Sequence, residues 1–211
     1  LVDAGPDIRN QLLPINVSKL DAVLITHTHS DHVAGMDDLR VFYWPDQNKI
    51  SFFGTNEHGI DVQTRFPYLF QRTPSSPSYF IPPFEWNTID VNEHFVVGDI
   101  NIRTQYQKHG NGFSLGFVFN EKFAYTTDVS SLDDKYLNSI QNIPIWIVET
   151  LREKPHSAHA HFDLTFSWIE KVKPRRCFLT HLGLESDYDT LLKICPPNVK
   201  PGYDGLVLEV N

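Results

Sequence analysis

Short apolar runs along the chain alternate with segments in which apolar residues recur every three or four positions. Runs rich in β-branched and aromatic residues predict strands, and the longer period predicts helices. The predicted strands cover residues 49–53, 99–105, 113–119, 122–127, 145–148, 176–180 and 206–210. The predicted helices cover residues 6–16 with a stop at Pro14, 55–66, 132–139 and 162–171. Because strands outnumber helices and several are adjacent, the pattern favours a mixed architecture with hairpins.

One long segment interrupts this pattern. Residues 73–83 contain four prolines and cannot hold regular structure. Two interpretations stay open: a surface connection, or a substrate-facing flap, since long loops in compact domains are often functional. The rest of the chain shows no repeat and no break. With 211 residues and 41% hydrophobic content, residues 1–211 are predicted to form a single domain with a sizeable core.

The segment His27-Thr28-His29-Ser30-Asp31-His32 directly follows the apolar run 22–26. Imidazole nitrogens and carboxylate oxygens are good ligands for divalent metals. If the turn leads into a helix, His27 and His29 can converge on one ion while Asp31 and His32 reach a neighbouring one. A helix cap would need only one such residue, at position 30 or 31, and would leave three histidines unexplained. The segment therefore predicts two bound metal ions.

Charge and composition narrow the class of protein. The net charge of −8, from 18 Lys and Arg against 26 Asp and Glu, opposes broad nucleic-acid binding, which needs clustered cations. No apolar run approaches the ~18 residues of a membrane span. Cys177 and Cys195 lack the spacing of a metal site, so buried free thiols in a reducing cytosol are expected. These features predict a cytoplasmic globular enzyme.

The His-x-His-x-Asp-His pattern resembles the signature of the metallo-β-lactamase superfamily. That superfamily adds a histidine, a metal-bridging aspartate and a last histidine on later loops. Candidates follow strand-like runs in the same order. The resemblance implies seven ligands, with the first ion held by His27, His29 and His109, the second by Asp31, His32 and His181, and both by Asp128. Such a set admits zinc, manganese or iron.

Four further segments, residues 1–7, 35–40, 155–159 and 203–206, resemble the phosphodiesterase branch of that superfamily. This branch holds the phosphoribosyl cyclic phosphodiesterases and, more distantly, ribonuclease Z. The resemblance implies an α+β fold, a four-layer αββα sandwich with two packed sheets and helices outside. Members begin with further N-terminal strands, some with a cysteine zinc site. We therefore expect the domain to be N-terminally incomplete.

The resemblance also implies a mechanism. A water activated between two ions attacks the phosphorus of a diester, Asp31 marks the site as one for phosphoesters, and His159 serves as general acid. Asp3 is expected to hydrogen-bond to the metal loop.

Several other polar residues keep two interpretations. Asp37, Asp38 and Arg40 could have a buried structural or substrate-orienting role, or could form a solvated helix face with an ion pair. His156 could contact substrate, or could support residues that do. The histidines at positions 58, 94 and 161 are expected to be ordinary surface or loop residues. The segment around Asp204 is expected to be simple turn chemistry without a catalytic role.

Three functions are compatible with these sequence features. The first is a dinuclear hydrolase for a small cyclic or nucleotide-like phosphodiester, without extended nucleic-acid or membrane binding. The second is a ribonuclease Z-like tRNA 3′ endonuclease, which the acidic balance and the lack of a long basic insertion oppose. The third is a non-catalytic metal-binding scaffold, whose mark would be a missing ligand; none of the seven is missing. A homodimer is left open.

Overall fold

The protein is described by a computed structural model in which residues 1–210 are placed. The chain divides into two compact units, the first spanning Leu1–Val91 and the second beginning at Asn92. Each unit has its own β-sheet. The single domain expected for the whole chain stays a prediction.

The first unit is built on a small parallel sheet. Its strands are β1 (Ala22–Leu24), β2 (Ile50–Gly54) and β3 (Phe84–Thr88), its α-helices are α1 (Ile8–Leu12), α2 (Ser30–Val33), α3 (Asn56–Arg65) and α4 (Pro67–Phe70), and Leu13–Ile15 and Met36–Phe42 are 3-10 helices. The strand order is β1-β2-β3, with parallel pairing throughout. Buried apolar residues from the sheet and from the helices form one cluster, in which the rings of Phe52 and Phe84 lie 4.6 Å apart.

Most elements predicted for the first unit are confirmed. The predicted strand 49–53 is β2, and the predicted helix 55–66 is α3, whose first turn is capped by Thr55 Oγ1 accepting from His58 N at 3.2 Å. The first helix ends earlier than expected, at Leu12, because Pro14 belongs to the 3-10 turn that follows. β3 was not predicted, since its parallel pairing with β2 is a long-range interaction.

His58 corrects one expectation. Its side chain is buried, with 5% of the residue exposed, instead of lying at the surface. It occupies the third position of α3, and the helix turns it inward with Val62. Burial lowers the pKa of the His58 imidazole to about 4, because the charged form loses hydration.

Residues 73–83 form only turns and bends, as the prolines predict. The Arg72 guanidinium holds this segment together, donating to the carbonyl oxygens of Pro77 and Ser78, each at 2.8 Å. The segment is thus an ordered connection. Its role as a substrate-facing flap stays a prediction.

The second unit is built on a seven-stranded sheet. Its strands are β4 (His94–Val97), β5 (Ile100–His109), β6 (Gly112–Phe119), β7 (Phe123–Thr126), β8 (Ile145–Glu149), β9 (Arg176–Thr180) and β10 (Val199–Pro201), and its helices are α5 (Asp134–Ser139), α6 (Phe162–Val172) and α7 (Tyr188–Ile194). The order is β10-β9-β8-β7-β6-β5-β4. Pairing is antiparallel from β4 to β7 and parallel from β7 to β10. The parallel strands therefore bring their carboxyl ends to one edge.

One face of this sheet packs on helices. Trp146 on β8 is fully buried in a cluster that includes Trp168 and Ile169 of α6. The indole Nε1 of Trp146 donates to Thr126 Oγ1 at 2.8 Å, which satisfies a polar group inside the apolar core. This core fixes β7 and β8 relative to each other.

The predicted strand at 206–210 is wrong. Residues 206–210 carry no regular structure, and β10 lies instead at Val199–Pro201. β9 has β8 on one side and β10 on the other, so the position beside β9 is taken by Val199–Pro201 and not by the apolar run 206–210. The other strands and helices predicted for this unit are confirmed, whereas β4 and α7 were not predicted.

The cysteines form no disulfide within the described residues. Cys177 is buried on β9, as expected, and burial raises the pKa of its thiol, whereas Cys195 is half-buried. In the part of the chain that the structure describes, no helix combines the length and the apolar character needed to cross a membrane.

Candidate metal centre

The metal loop, residues 27–32, lies just beyond the end of β1. His29 occupies the cap position before α2, so the chain turns sharply between His27 and His32. The ring of His27 lies 4.5 Å from that of His29 and 4.2 Å from that of His32, between centroids. The turn thus gathers three imidazoles from a segment of six residues. His27 and His32 are buried, while His29 and Asp31 are exposed.

Asp3 supports this loop from an adjacent segment. One carboxylate oxygen accepts from Thr26 N at 2.8 Å, and the other accepts from Thr26 Oγ1 at 2.8 Å and lies 2.7 Å from His32 Nδ1. A carboxylate on Nδ1 fixes the ring orientation and leaves Nε2 for a ligand. Asp3 adopts a left-handed backbone, with φ at 54°. This conformation costs about 1 kcal/mol or more and is typical of functional sites.

Two glycines allow the first residues to approach the loop closely. Ala4 N donates to His32 O at 2.7 Å, and Gly35 N donates to Ala4 O at 2.9 Å. A Cβ atom at Gly5 would overlap the carbonyl of Asp31, and one at Gly35 would overlap the carbonyl of Gly5. The backbones meet because neither residue has a side chain, and this contact places Asp3 against His32.

The second unit presents its candidate ligands at strand ends. His109 is the last residue of β5, Asp128 lies two residues beyond β7, and His181 directly follows β9. Asp128 and His181 both have left-handed backbones, with φ at 52° and 55°. The chain therefore turns abruptly at both residues.

Asp128 is at the middle of this group. Its side chain is almost fully buried, and Oδ2 accepts from Thr127 Oγ1 at 2.8 Å. His181 Nε2 lies 3.4 Å from Oδ2, and His109 Nε2 lies 3.8 Å from Oδ1. His109 Nδ1 is 2.8 Å from Ala158 O and donates to it, so the lone pair of this neutral ring is on Nε2. Both oxygens of Asp128 thus face imidazole nitrogens, as a bridging carboxylate requires.

Glu149 is a member of this group that the sequence analysis missed. It is fully buried at the end of β8, and Oε2 accepts from Val129 N at 2.5 Å. Oε1 lies 2.5 Å from His159 Nδ1 and 3.3 Å from His181 Nδ1. The sequence did offer one signal, the position of Glu149 at the end of an apolar strand. Asp128 and His181 occupy similar positions after β7 and β9.

His159 stands next to the candidate ligands. Its ring stacks on that of His181 with centroids 5.1 Å apart and planes 13° apart, and Nδ1 lies 3.6 Å from Asp128 Oδ1. The exposed ring of His156 lies 5.0 Å from that of His159. The two histidines named in the sequence analysis thus share one loop with different degrees of burial.

The donors of the second unit suit a divalent ion. Asp128, Glu149, His159 and His181 each offer a ligand atom, and these atoms lie within 4.8 Å of one another. Within the described residues, the ion pairs of Glu149 are with histidines, which are cations only when protonated. A buried carboxylate needs compensating charge. Asp128 and His181 of this group therefore fit a hard or borderline cation held by oxygen and imidazole nitrogen, and Glu149 and His159 lie beside them.

The remaining candidates lie on the 3-10 helix that follows α2. Asp38 is exposed, and Arg40 forms a 3.4 Å ion pair with Asp37. Asp37 also accepts from the Tyr68 hydroxyl at 2.8 Å. This arrangement is the solvated ion-paired face, and a substrate role for Asp38 or Arg40 stays a prediction.

Comparison with known proteins identifies the family. Residues 1–182 match the model of the β-lactamase superfamily domain, which covers most of the chain. The chain belongs to the metallo-β-lactamase superfamily. The crystal structure of a diphosphatase from the PhnP family superposes with a TM-score of 0.88 at 25% identity, over 97% of this chain and 76% of that one. The predicted α+β metallo-β-lactamase fold is confirmed.

Sequence relatives carry several different names. An octanoyltransferase of Porphyromonas gingivalis is 28% identical over 98% of this chain, which spans only 41% of that protein. The anti-Pycsar protein Apyc1 of Bacillus phage 010DV004 is 24% identical over 87% of this chain and 77% of its own. Ribonuclease Z of Thermococcus kodakarensis is 28% identical over 58% of this chain and 37% of its own. This metallo-β-lactamase superfamily member is thus similar to the phosphodiesterase branch, as the sequence indicated.

Proposed function

We propose that the protein is a dinuclear metal-dependent phosphodiesterase for a small cyclic or nucleotide-like diester. The ligand set is the seven-residue set of the sequence analysis: His27, His29, Asp31, His32, His109, Asp128 and His181. The family match supports it, since it extends through all seven positions. The grouping of the loop histidines in one unit, and of Asp128 with His181 in the other, also supports it. Zinc or manganese suits these donors, and iron is admitted.

The observation that carries the proposal is the contact between His159 and Glu149. A set of metal ligands needs no further histidine beside it, yet His159 is held 2.5 Å from a fully buried carboxylate. Hydrolysis of a diester releases an alkoxide, which needs a proton as it leaves, whereas the thiolate released from a thiolester needs one much less. A histidine of fixed orientation beside the ligands supplies that proton donor.

Each side chain then has a stated task. Bound divalent ions supply Lewis acidity and lower the pKa of water, which provides the nucleophile. Glu149 accepts from His159 Nδ1 and so directs Nε2 away from the carboxylate. The proton leaves Nε2 for the departing oxygen as the phosphorus–oxygen bond to the leaving group breaks and the bond to the water oxygen forms. Thr127 holds Asp128 in place through its hydroxyl.

Replacing His159 with alanine tests the proton donor. His159→Ala should keep its metal content and fold but lose about 10²–10⁴-fold in kcat/KM for an alkyl phosphodiester. With p-nitrophenolate as the leaving group the loss should be much smaller, because that anion departs without a proton. Glu149→Gln, which keeps the shape of the side chain, should share the same leaving-group dependence.

Two results would contradict this role. Equal losses on both substrates would mean that His159 only positions the phosphate. A fall in bound metal on replacing His159 would make it a ligand. His156→Ala is the matched control, since His156 is exposed on the same loop and is expected to change the rate on both substrates to the same small extent.

A second candidate function is favoured by the similarity to ribonuclease Z: endonucleolytic cleavage of tRNA precursors. The net charge of −8 weakens it, because RNA binding rewards clustered cations. One panel separates the candidates: a cyclic ribose phosphate, a tRNA precursor, a phosphomonoester and a thiolester. The proposal expects the small diester to give the highest kcat/KM. A preference for the thiolester would point to acyl chemistry and leave only the fold correct.

The setting of the enzyme is also a proposal. Free thiols at Cys177 and Cys195 suit a reducing compartment, so we place the protein in the cytoplasm. A small-molecule substrate is the expected partner, and a homodimer stays a prediction.

A further inference from the structure

A cavity of about 620 Å³ in the second unit extends from the candidate metal ligand His181 to a pair of tyrosines. Ile147 of β8 and Phe178 of β9 contribute apolar surface. Tyr188, the first residue of α7, and Tyr203, just beyond β10, form an edge-to-face pair with centroids 6.3 Å apart. One part of the cavity is therefore apolar and aromatic. Another part reaches His181, a ligand in the proposed metal centre.

The two tyrosines are available for a ligand. Tyr203 is 59% exposed and Tyr188 is 37% exposed, although both line this cavity. Within the described residues, no hydrogen bond involves either hydroxyl. Their rings are not needed to fill the core of the unit, and their exposure in a concave site suits an aromatic partner.

Asp204 lines the same cavity and is not needed by the turn in which it lies. That turn is closed by Leu206 N donating to Tyr203 O at 3.0 Å, and Gly205 supplies the positive φ of 86° at the third position of a type II turn. The Asp204 carboxylate takes part in no hydrogen bond or ion pair among the described residues. The turn chemistry expected from the sequence is present, but backbone and glycine provide it.

We propose that this cavity binds the nucleobase of the substrate, which rests on the phosphodiesterase function proposed above. Tyr203, the more exposed of the two, stacks on the flat face of the base, and Tyr188, whose ring plane is 73° from that of Tyr203, lies against its edge. Stacking on an aromatic side chain accepts any base. An ionised carboxylate only accepts hydrogen bonds, so Asp204 recognises a base that carries an amino group. The same negative charge repels phosphate, which keeps the phosphate at the His181 end. The preferred substrate is therefore a nucleotide with an amino-bearing base.

Binding measurements test this without relying on turnover. Cytidine 5′-monophosphate, uridine 5′-monophosphate and ribose 5-phosphate are titrated into the purified holoenzyme by calorimetry. Cytidine monophosphate should bind at least about tenfold more tightly than ribose phosphate, within the range that one stacked base provides. The uridine nucleotide should fall between the two, because it lacks the amino group.

Variants assign the effect to the cavity. Tyr203→Leu should remove most of the difference in affinity between either nucleotide and ribose phosphate. Tyr203→Phe should keep that difference, because the base contacts the ring and not the hydroxyl. Asp204→Asn should collapse the cytidine-to-uridine ratio towards one, since an amide pairs with either base. Tyr106→Leu is the matched control: Tyr106 is half exposed and lies outside this cavity, so its replacement should change none of the ratios.

The outcomes separate this proposal from the function it rests on. Equal binding of all three probes, or an unchanged preference in Tyr203→Leu, overturns the nucleobase site. If diesters are hydrolysed without any base preference, the function stands and the site fails. If the preference and its variants behave as expected but no diester is hydrolysed, the site stands and the proposed function fails.

Discussion

The two units of the chain assemble their candidate ligands in different ways. In the first unit one turn of six residues carries three histidines and an aspartate, and Asp3 is the supporting carboxylate. In the second unit the side chains come from the ends of β5, β7, β8 and β9, and two buried carboxylates lie among imidazoles. A turn holds its ligands through local geometry, whereas a sheet edge holds them through the pairing of distant strands. Substitution of a ligand in the second unit should therefore affect more of the proposed metal centre than substitution of a ligand in the first.

Removing the proposed bridge should give the largest effect. Asp128→Ala takes away the carboxylate that faces both His109 and His181. We expect both ions to be lost together and kcat/KM to fall by more than the roughly 10–100-fold that supporting residues of a metal site give. Metal analysis after purification without chelators, with two equivalents expected for the unmodified protein, is the measurement.

Loss of a single ion in that variant would refute the bridging role. His29→Ala is the comparison in the first unit, because His29 belongs to the turn and is assigned to one ion. It should lower the occupancy of that ion more than that of the other.

Weakening the support of the turn should have an intermediate effect. Asp3→Asn keeps the shape but removes the charge that lies 2.7 Å from His32 Nδ1. Metal affinity or activity should fall about 10–100-fold, as for other residues that orient a metal-binding histidine. Metal titration with a competing chelator measures the change. If affinity is unaltered while the melting temperature falls, Asp3 only joins its segment to the loop. Asp7→Asn, on the exposed residue before α1, is the control.

The smallest effect concerns stability away from the ligands. His58 has a folded-state pKa of about 4 against an ordinary value of 6.5. Between these values the unfolded chain binds the extra proton, so His58 contributes stability that is complete above pH 6.5 and is lost as the pH falls towards 4. The loss should reach at most about 3 kcal/mol.

Denaturant unfolding of the wild type and His58→Gln at pH 7 and pH 4.5 measures it. The variant should show a flatter pH dependence whatever its absolute stability. Parallel curves would exclude His58 as a source of the acid sensitivity. His94→Gln, which alters an exposed histidine, serves as the control.

Sequence reasoning succeeded where the information is local. The segment 27–32 could be recognised because four ligand-type residues lie within six positions. Helix α3 could be recognised because its apolar period follows directly on the Thr55 cap. Glu149 was missed because it lies in no recognisable motif. Its place beside the candidate ligands depends on the pairing of β8 with β7 and β9. The error at 206–210 has the same origin: an apolar run predicts a strand, but only long-range pairing decides which run joins the sheet. His58 was misplaced because a histidine inside a helix gives no sign of which way it faces.

The change from antiparallel to parallel pairing at β7 also sets an order of assembly. Loops of a few residues join β4 to β7 into antiparallel hairpins, so these strands can pair through contacts that are close along the chain. Each of β8 to β10 pairs in parallel only after a longer crossover segment has brought it to its neighbour. This pairing is slower, because chain entropy is lost before the strands meet. We therefore expect the nascent second unit to acquire the hairpin that carries His109 first and the edge that carries Glu149 and His181 last. Synthesis from the N-terminus imposes the same sequence of events.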